Sequence, residues 1–187
     1  MHHENRKSSA VSARTTGRFN ELVLPHLDDA YGLARWLTGN RSDAEDVVQD
    51  ACVRVLAALD NAVVERPRAW LLTIVRNTAF SWLAKNRSKV VLFTSDEQAF
   101  ENATAQAAVE TNANPEAELI AAADGAALTT AVEALPLDFR EVFIMRDVSG
   151  LTYREIAEAI GIPIGTVMSR LARARGLLIN QLGKKGD

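Results

Sequence analysis

Apolar residues recur at spacings of three and four positions along most of the chain, which is the periodicity of an amphipathic α-helix. The alternation of apolar and polar residues that marks a half-buried strand is nearly absent. In the last third, one helical stripe contains Val167, Leu171, Ala174 and Leu178. The pattern therefore predicts an all-α fold in which each helix turns one apolar face towards a core.

Residues 151–175 contain the local signals of two helices joined by a tight turn. Thr152 and Glu155 form a T-x-x-E capping box, which satisfies backbone N–H groups at the start of a helix. Gly161 follows where a turn needs a positive φ angle, and Pro163 suits the first turn of the next helix. We therefore predict a helix-turn-helix.

The second of these helices has a polar face suited to DNA. Thr166, Ser169, Arg170 and Arg173 fall largely opposite the apolar stripe, and arginine can bind guanine through two hydrogen bonds. A recognition helix of this kind lies in the major groove. The alternative is a helical hairpin whose arginines form only a solvated face.

The first half of the chain predicts three further helices. One covers residues 19–38 and ends at a Gly-Asn break. The second covers residues 42–59 and opens on a capping box of Ser42 and Glu45. Its apolar positions are Val47, Val48, Ala51, Val55, Leu56 and Leu59. The third covers residues 68–85, and the three together predict a compact helical domain.

Composition divides the chain into two helical domains joined by a flexible linker. Residues 88–114 are rich in Ser, Thr, Asn, Gln, Ala and acids, which is linker composition. Helices are predicted again over residues 115–135 and 138–148, before the helix-turn-helix. The boundaries follow: a disordered tail over 1–18, a helical domain over 19–87, an acidic flexible linker over 88–114 and a helical domain with the helix-turn-helix over 115–183.

The charge pattern supports DNA binding at the C-terminal end. The chain has 21 basic and 24 acidic residues, which argues against a histone-like coat of positive charge. Residues 88–135 have a net charge of −7, whereas residues 163–187 contain five basic residues and one acidic residue. Positive charge is thus concentrated on the predicted recognition helix and the tail that follows it.

Other function classes find little support. Cys52 is the only cysteine, so neither an intramolecular disulfide nor a cysteine-based zinc site can form. There is no apolar run of membrane-spanning length and no signal peptide, which predicts a cytoplasmic protein without membrane insertion. The sequence contains no nucleotide-binding loop, metal cluster or Ser/His/Asp arrangement. We therefore expect no catalytic residues, no cofactor and no bound metal.

An acidic stripe marks the polar face of the second predicted helix. Asp43, Asp46 and Asp50 are spaced by three and four residues, and Gln49 lies on the same polar face. A charged stripe of this kind could pair with a basic partner surface. It could also be an ordinary solvated helix face.

Three stretches, taken with the helix-turn-helix, carry a family resemblance. They are residues 43–50 (DAEDVVQD), 67–79 (PRAWLLTIVRNTA) and 135–143 (LPLDFREVF). In this order and spacing the chain resembles a bacterial RNA polymerase sigma factor of the extracytoplasmic-function (ECF) type, over nearly all of residues 19–181. The resemblance implies an initiation factor that binds core RNA polymerase, directs it to promoters and has no catalytic activity of its own.

The family resemblance also implies a role for each domain. The first resembles sigma domain two, which docks on the β′ clamp and melts the −10 element. The last resembles domain four, which binds the −35 element and the β flap. The linker resembles the segment threaded towards the active-site cleft. An anti-sigma factor is implied as a further partner.

The implied site residues form three groups. The resemblance implies that the stripe of Asp43, Asp46, Gln49 and Asp50 docks on the polymerase. It implies that the −35 element is recognised by Thr166, Ser169, Arg170 and Arg173. Binding and melting of the −10 element falls to the loop over 60–68 and to Arg68, Trp70, Arg76, Asn77, Lys85 and Arg87. Within this group Asn77 is expected to touch a flipped base, and Lys85 and Arg87 to hold phosphates.

Several alternatives stay open at this level. Trp70 could pack in the domain instead of stacking on a base, and core packing is favoured for Phe80 and Trp82. Met168 and Ala172 depart from the family pattern, so base assignments at −35 are not carried over. Rival interpretations are a helix-turn-helix regulator that works without polymerase and a helical adaptor that binds only protein.

Overall fold

The computed structural model describes residues 14–90 and 125–183, and the side chains within them except those of residues 87–90 and 183. Every regular element in these two ranges is helical. The all-α prediction is therefore confirmed. The helices form two groups, one in each range, whose members pack mainly against each other.

The first group contains four α-helices. They are α1 over residues 14–22, α2 over Leu27–Thr38, α3 over Arg41–Leu59 and α4 over Pro67–Val90. Helices α2, α3 and α4 pack against one another in all three pairings. Their shared core is made of fully buried aliphatic side chains: Leu33, Leu37, Val47, Ala51, Val55, Leu59, Leu71, Leu72 and Val75.

The helix predicted over residues 19–38 is in fact interrupted. Helix α1 ends at residue 22, and a short 3₁₀ turn over Leu24–His26 leads into α2. Pro25 lies inside that turn, where it lacks the N–H that a continuous helix needs and its ring would clash with the preceding turn. Residues 14–18 are helical although they belong to the segment predicted as a disordered tail, and residues 1–13 lie outside the described residues.

The N-terminus of α3 is capped by a different residue from the one predicted. The Asn40 side chain accepts a hydrogen bond from the backbone N–H of Asp43 at 2.9 Å, and Ser42 lies within the helix. The capping box of Ser42 and Glu45 is therefore wrong. Gly39 ends α2 in the left-handed conformation at φ +85°, so the chain is already extended at Asn40 and the next helix starts there.

The second group contains the other four α-helices. They are α5 over residues 125–133, α6 over Leu137–Phe143, α7 over Tyr153–Ile160 and α8 over Ile164–Gly183. The predicted helix over 138–148 is α-helical only to Phe143 and continues as a π-helical turn over Ile144–Val148. The predicted start of a helix at residue 115 lies outside the described residues, and so does the predicted linker beyond Val90.

The helix-turn-helix forms as its local signals predict. Both hydrogen bonds of the Thr152 and Glu155 capping box are present, and the Thr152 N–H lowers the pKa of the Glu155 carboxyl. Gly161 has φ +78°. Pro163 lies just before α8 instead of in its first turn, and its carbonyl accepts the N–H of Thr166 at 2.9 Å. The stripe of Val167, Leu171, Ala174 and Leu178 is buried.

The turn glycine generates a stability prediction. A Cβ at Gly161 would meet no atom within 4 Å, so Gly161→Ala tests the backbone conformation alone. Because an L-residue is strained at positive φ, we expect a loss of about 1 kcal/mol in the free energy of unfolding, measured with urea. Gly176→Ala is the matched control, since that site is also open but lies inside α8. It should gain up to about 1 kcal/mol, and equal effects at both sites would contradict the explanation.

Candidate nucleic-acid interface

Helix α4 presents most of the residues predicted to act on the −10 element. Asn77 and Lys85 are exposed, and Trp70 is half-buried. Arg87 lies on the same helix, but its side chain is outside the described residues. Arg68 donates from Nε to an Asp29 carboxylate oxygen at 2.6 Å. That hydrogen bond lowers the pKa of Asp29.

Arg76 is held by several side chains at once. Its Nη2 lies 2.7 Å from Oε2 of Glu141, and its Nε donates to the same oxygen at 2.9 Å. Nη1 donates to the Asn77 side-chain oxygen at 3.0 Å, and the guanidinium carbon lies 4.1 Å from the centre of the Phe80 ring. Since Glu141 belongs to α6, Arg76 connects the two helix groups.

The loop before α4 also meets the second group. Arg66 lies 2.7 Å from Glu158 and 3.3 Å from Glu155, both on α7. These residues, together with Val63 and Trp70, line a groove of about 290 Å³ between the loop and α7. The loop predicted to act on the −10 strand therefore faces the first helix of the helix-turn-helix.

Helix α1 holds the base of the same loop. The two terminal nitrogens of the Arg18 guanidinium donate to the carbonyls of Leu59, at the end of α3, and Ala62, the latter at 2.8 Å. Thr15 donates to the Asp60 carboxylate. Carbonyls at a helix C-terminus lack intrahelical partners, so Arg18 fixes the point where the loop leaves α3.

Residues on the recognition helix α8 have unequal access to solvent. Ser169 and Arg173 are exposed, Thr166 is half-buried, and the Ser169 hydroxyl donates to the Thr166 carbonyl at 3.1 Å. Arg173 has no ion pair within the described ranges. Met168 is 52% exposed and Ala172 is also exposed, so both residues that depart from the family pattern lie on the surface of this helix.

Arg170 forms ion pairs with two acids of its own helix group. Its Nη2 lies 3.0 Å from Asp138, and its Nη1 lies 3.3 Å from Oε1 of Glu141. The side chain is only 24% exposed. The geometry favours a structural role for this arginine, which ties the recognition helix to α6, over direct contact with a base.

Glu141 is the acid that both arginines share, and sequence reasoning missed it. Its side chain is 1% exposed. Burial raises the pKa of its carboxyl, while the guanidinium groups of Arg76 and Arg170 oppose that rise. The charged carboxylate therefore depends on these two partners. One signal was available, because an acid directly before the apolar run over 142–145 is placed for burial.

The predicted docking stripe lies on the outer face of α3. Asp46, Gln49 and Asp50 are exposed, whereas Asp43 is half-buried and accepts a hydrogen bond from the Asn40 amide. Leu56 was predicted to be a core residue, yet it is 42% exposed and lies near Val53, which is 66% exposed. The acidic stripe thus continues into an apolar patch along the same helix.

Comparison with known proteins assigns the family. A model described as Sigma-70 region 2 matches residues 22–89, and one described as Sigma-70, region 4 matches residues 125–178. The chain is 32% identical over 166 residues to the ECF RNA polymerase sigma-E factor of Escherichia coli K12, which covers 88% of this chain and 86% of that protein. This chain belongs to the ECF sigma factors. The resemblance predicted from the sequence is confirmed.

A second relative extends the comparison. The ECF RNA polymerase sigma factor SigE of Mycolicibacterium smegmatis is 33% identical over 166 residues. That alignment covers 89% of this chain but 62% of the relative, so this chain spans less than two thirds of that protein's length.

Two solved structures share the arrangement of helices. The sigma factor RpoE of Bartonella quintana, in complex with the anti-sigma factor NepR, is 28% identical with a TM-score of 0.68, over 88% of this chain and 96% of that one. CnrH, in complex with the cytosolic domain of CnrY, is 24% identical with a TM-score of 0.62, over 94% and 96%. The second likeness concerns the fold alone.

In residues 14–90 and 125–183, no helix combines the length and the apolar character needed to cross a bilayer.

The two arginines of the recognition helix should differ in what they do for stability. Arg170→Ala leaves the buried Glu141 with one guanidinium instead of two, so we expect a loss of about 1–3 kcal/mol in the free energy of unfolding. Arg173→Ala is the control from the same helix, and as an exposed site it should change stability by less than about 0.5 kcal/mol. Chemical denaturation of the full chain measures both. If Arg170→Ala costs as little free energy of unfolding as Arg173→Ala, the ion pairs of Arg170 do not contribute to stability.

Proposed function

We propose that this ECF sigma factor binds core RNA polymerase through the outer face of α3 and contacts promoter DNA through α4 and α8. The observation that carries the proposal is the placement of two DNA-suited surfaces on one chain of this family. One is the exposed face of α8, and the other is the α4 surface with its preceding loop.

The α4 surface is suited to hold an opened −10 strand. Asn77 is exposed and can form hydrogen bonds to the edge of a flipped base. Trp70 lines the groove beside the loop, where an aromatic face can stabilise a stacked base by about 1–3 kcal/mol. Lys85 is exposed further along the helix and is suited to a backbone phosphate, as is Arg87 by its position.

The −35 element is assigned to the exposed residues of α8. Arg173, Ser169 and Thr166 are placed for contacts to bases or phosphates in the major groove. Arg170 keeps α8 in position through Asp138 and Glu141. The proposal therefore moves Arg170 from base recognition to support of the recognition helix.

The α3 surface is assigned to the β′ clamp. Asp46, Gln49 and Asp50 offer an acidic and polar face, and the exposed side chains of Val53 and Leu56 add apolar area beside it. Charge complementarity would set register and association rate, while the apolar patch would add affinity. Domain four is assigned to the β flap by family membership.

An anti-sigma factor is proposed as the regulatory partner. The structure of RpoE from Bartonella quintana contains the anti-sigma factor NepR, and RpoE shares its arrangement of helices with this chain. We also propose that this sigma factor acts in the cytoplasm, where its polymerase is, and that it has no catalytic activity of its own.

Transcription with purified core polymerase tests the function. Run-off assays on a pool of genomic fragments from the host should yield discrete starts only when the sigma factor is present. A variant with Asp46→Lys and Asp50→Lys is the control, since it reverses charge on the docking face at two exposed positions. It should lose these starts and keep its helical content. Absence of promoter-dependent starts with the wild-type protein would refute the proposal.

Two single substitutions should separate duplex binding from strand opening. Arg173→Ala should weaken −35 duplex binding by the holoenzyme about 5- to 150-fold, because one good base contact contributes about 1–3 kcal/mol. Asn77→Ala should leave duplex binding intact and reduce permanganate reactivity of the −10 bubble. Each variant is the control for the other. If both lose duplex binding equally, the two surfaces have been assigned wrongly.

A further inference from the structure

Helix α1 contacts the loop before α4, although it precedes the segment that matches the family. The Sigma-70 region 2 model begins at residue 22, which is the last residue of α1. Three side-chain hydrogen bonds nevertheless run from α1 to the place where the loop, residues 60–66, leaves α3. These contacts belong to the residues of this chain and need an explanation of their own.

Arg18 of α1 joins the last turn of α3 to the start of the loop. One terminal nitrogen of its guanidinium donates to the Leu59 carbonyl, and the other donates to the Ala62 carbonyl at 2.8 Å. Between these two residues in sequence, the Asp60 carboxylate accepts a hydrogen bond from the Thr15 hydroxyl. Because the guanidinium is planar and rigid, it sets the direction in which the chain departs from α3.

The opposite end of the loop is held by a second arginine. Arg68, in the first turn of α4, donates from Nε to the Asp29 carboxylate of α2 at 2.6 Å. Between the two ends, Glu65 is exposed and Val63 is 91% exposed. The middle of the loop therefore projects into solvent from two fixed ends, where a DNA strand can reach it.

A loop with fixed ends is suited to discriminate between bases. Ordering a loop at the moment of binding costs free energy, and a loop that is ordered in advance avoids part of that cost. Contacts that distinguish one ligand from another also need their groups held to within about 0.5 Å. A shift in the direction of the loop would therefore weaken contacts to the correct base more than non-specific contacts to the strand.

We propose that Arg18 is a positioning residue for the −10 element, through which α1 presets the loop that contacts the opened strand. The inference rests on the proposed function, because it assumes that this loop contacts the −10 strand. Arg18 acts through the Leu59 and Ala62 carbonyls and does not itself touch DNA. Its loss should therefore change discrimination between −10 sequences and leave −35 duplex binding unchanged.

Three variants of the full chain separate the role of Arg18 from the role of charge. Arg18→Ala removes both hydrogen bonds to the loop. Arg14→Ala is the matched control, since it removes the same charge from an exposed position of the same helix. Arg18→Lys keeps the charge and the aliphatic stem but lacks the planar pair of donors. It decides the matter if Arg18→Ala fails to fold.

Amide hydrogen exchange tests the positioning in the free protein. Arg18→Ala should speed exchange of the loop amides over residues 61–66 by about 5-fold or more, because local opening there becomes easier. Exchange of the core amides of α2 should stay as in the wild type. Arg14→Ala should change neither set of amides.

DNA binding by the holoenzyme tests the consequence for recognition. The probes are two fork-junction DNAs with a single-stranded −10 region. One has the −10 sequence of a promoter found by the run-off assay, and the other has the same bases scrambled. Arg18→Ala should lower the ratio of the two affinities about 5- to 10-fold, and Arg18→Lys should lower it less. Partial unfolding reduces both affinities equally and leaves the ratio unchanged, so the ratio distinguishes positioning from stability.

The outcomes separate this proposal from the proposed function. Faster loop exchange together with a lower affinity ratio, both absent in Arg14→Ala, would support the role of Arg18. An unchanged ratio or unchanged loop exchange would overturn it, as would an equal effect of Arg14→Ala. Promoter-dependent starts with the wild-type holoenzyme test the sigma function independently, so that function can hold while the role of Arg18 fails.

Discussion

The buried carboxylate of Glu141 is the interaction on which the arrangement of this molecule depends. A carboxylate that is 1% exposed would be strongly disfavoured without charged partners. Here it has two, from different helix groups, and each partner is an arginine from a surface suited to DNA. One acid therefore ties α8 to α6 and also holds α4, with the surface proposed for the −10 strand, against domain four.

This sharing explains why three arginines that were all predicted to contact DNA have different surroundings. Arg170 pairs with Asp138 and Glu141 inside domain four, so its position belongs to that domain's fold. Arg76 pairs with Glu141 across the contact between domains, so its position depends on how the two domains pack. Arg173 takes part in neither of these sets of ion pairs and is exposed to solvent, so it is accessible to DNA. Residue type alone could not separate the three.

Local features of the fold were readable from the sequence. The capping box at Thr152, the turn at Gly161 and the buried stripe of α8 depend on residues within a few positions of each other, which sequence spacing captures. The prediction at Ser42 was wrong because two caps competed, and the left-handed Gly39 placed the helix start at Asn40. The local sequence alone allows the helix to be capped by either Asn40 or Ser42.

Features that depend on tertiary contact were not readable. Periodicity assigned Leu56 to the core, but the bundle covers only the stripe of Val55 and Leu59 and leaves Leu56 on the outer face. Arg66 and Glu158 are 92 residues apart in sequence and meet only because the domains pack. Both domains were identifiable from composition and family resemblance, whereas their mutual contact depends on side chains with no local pattern.

The face of α3 proposed for polymerase docking lies away from the contact between the two domains. Asp46, Gln49 and Asp50 point outward from α3 and are exposed while the two domains are in contact. The face proposed for docking is therefore accessible to core polymerase without any separation of the two domains.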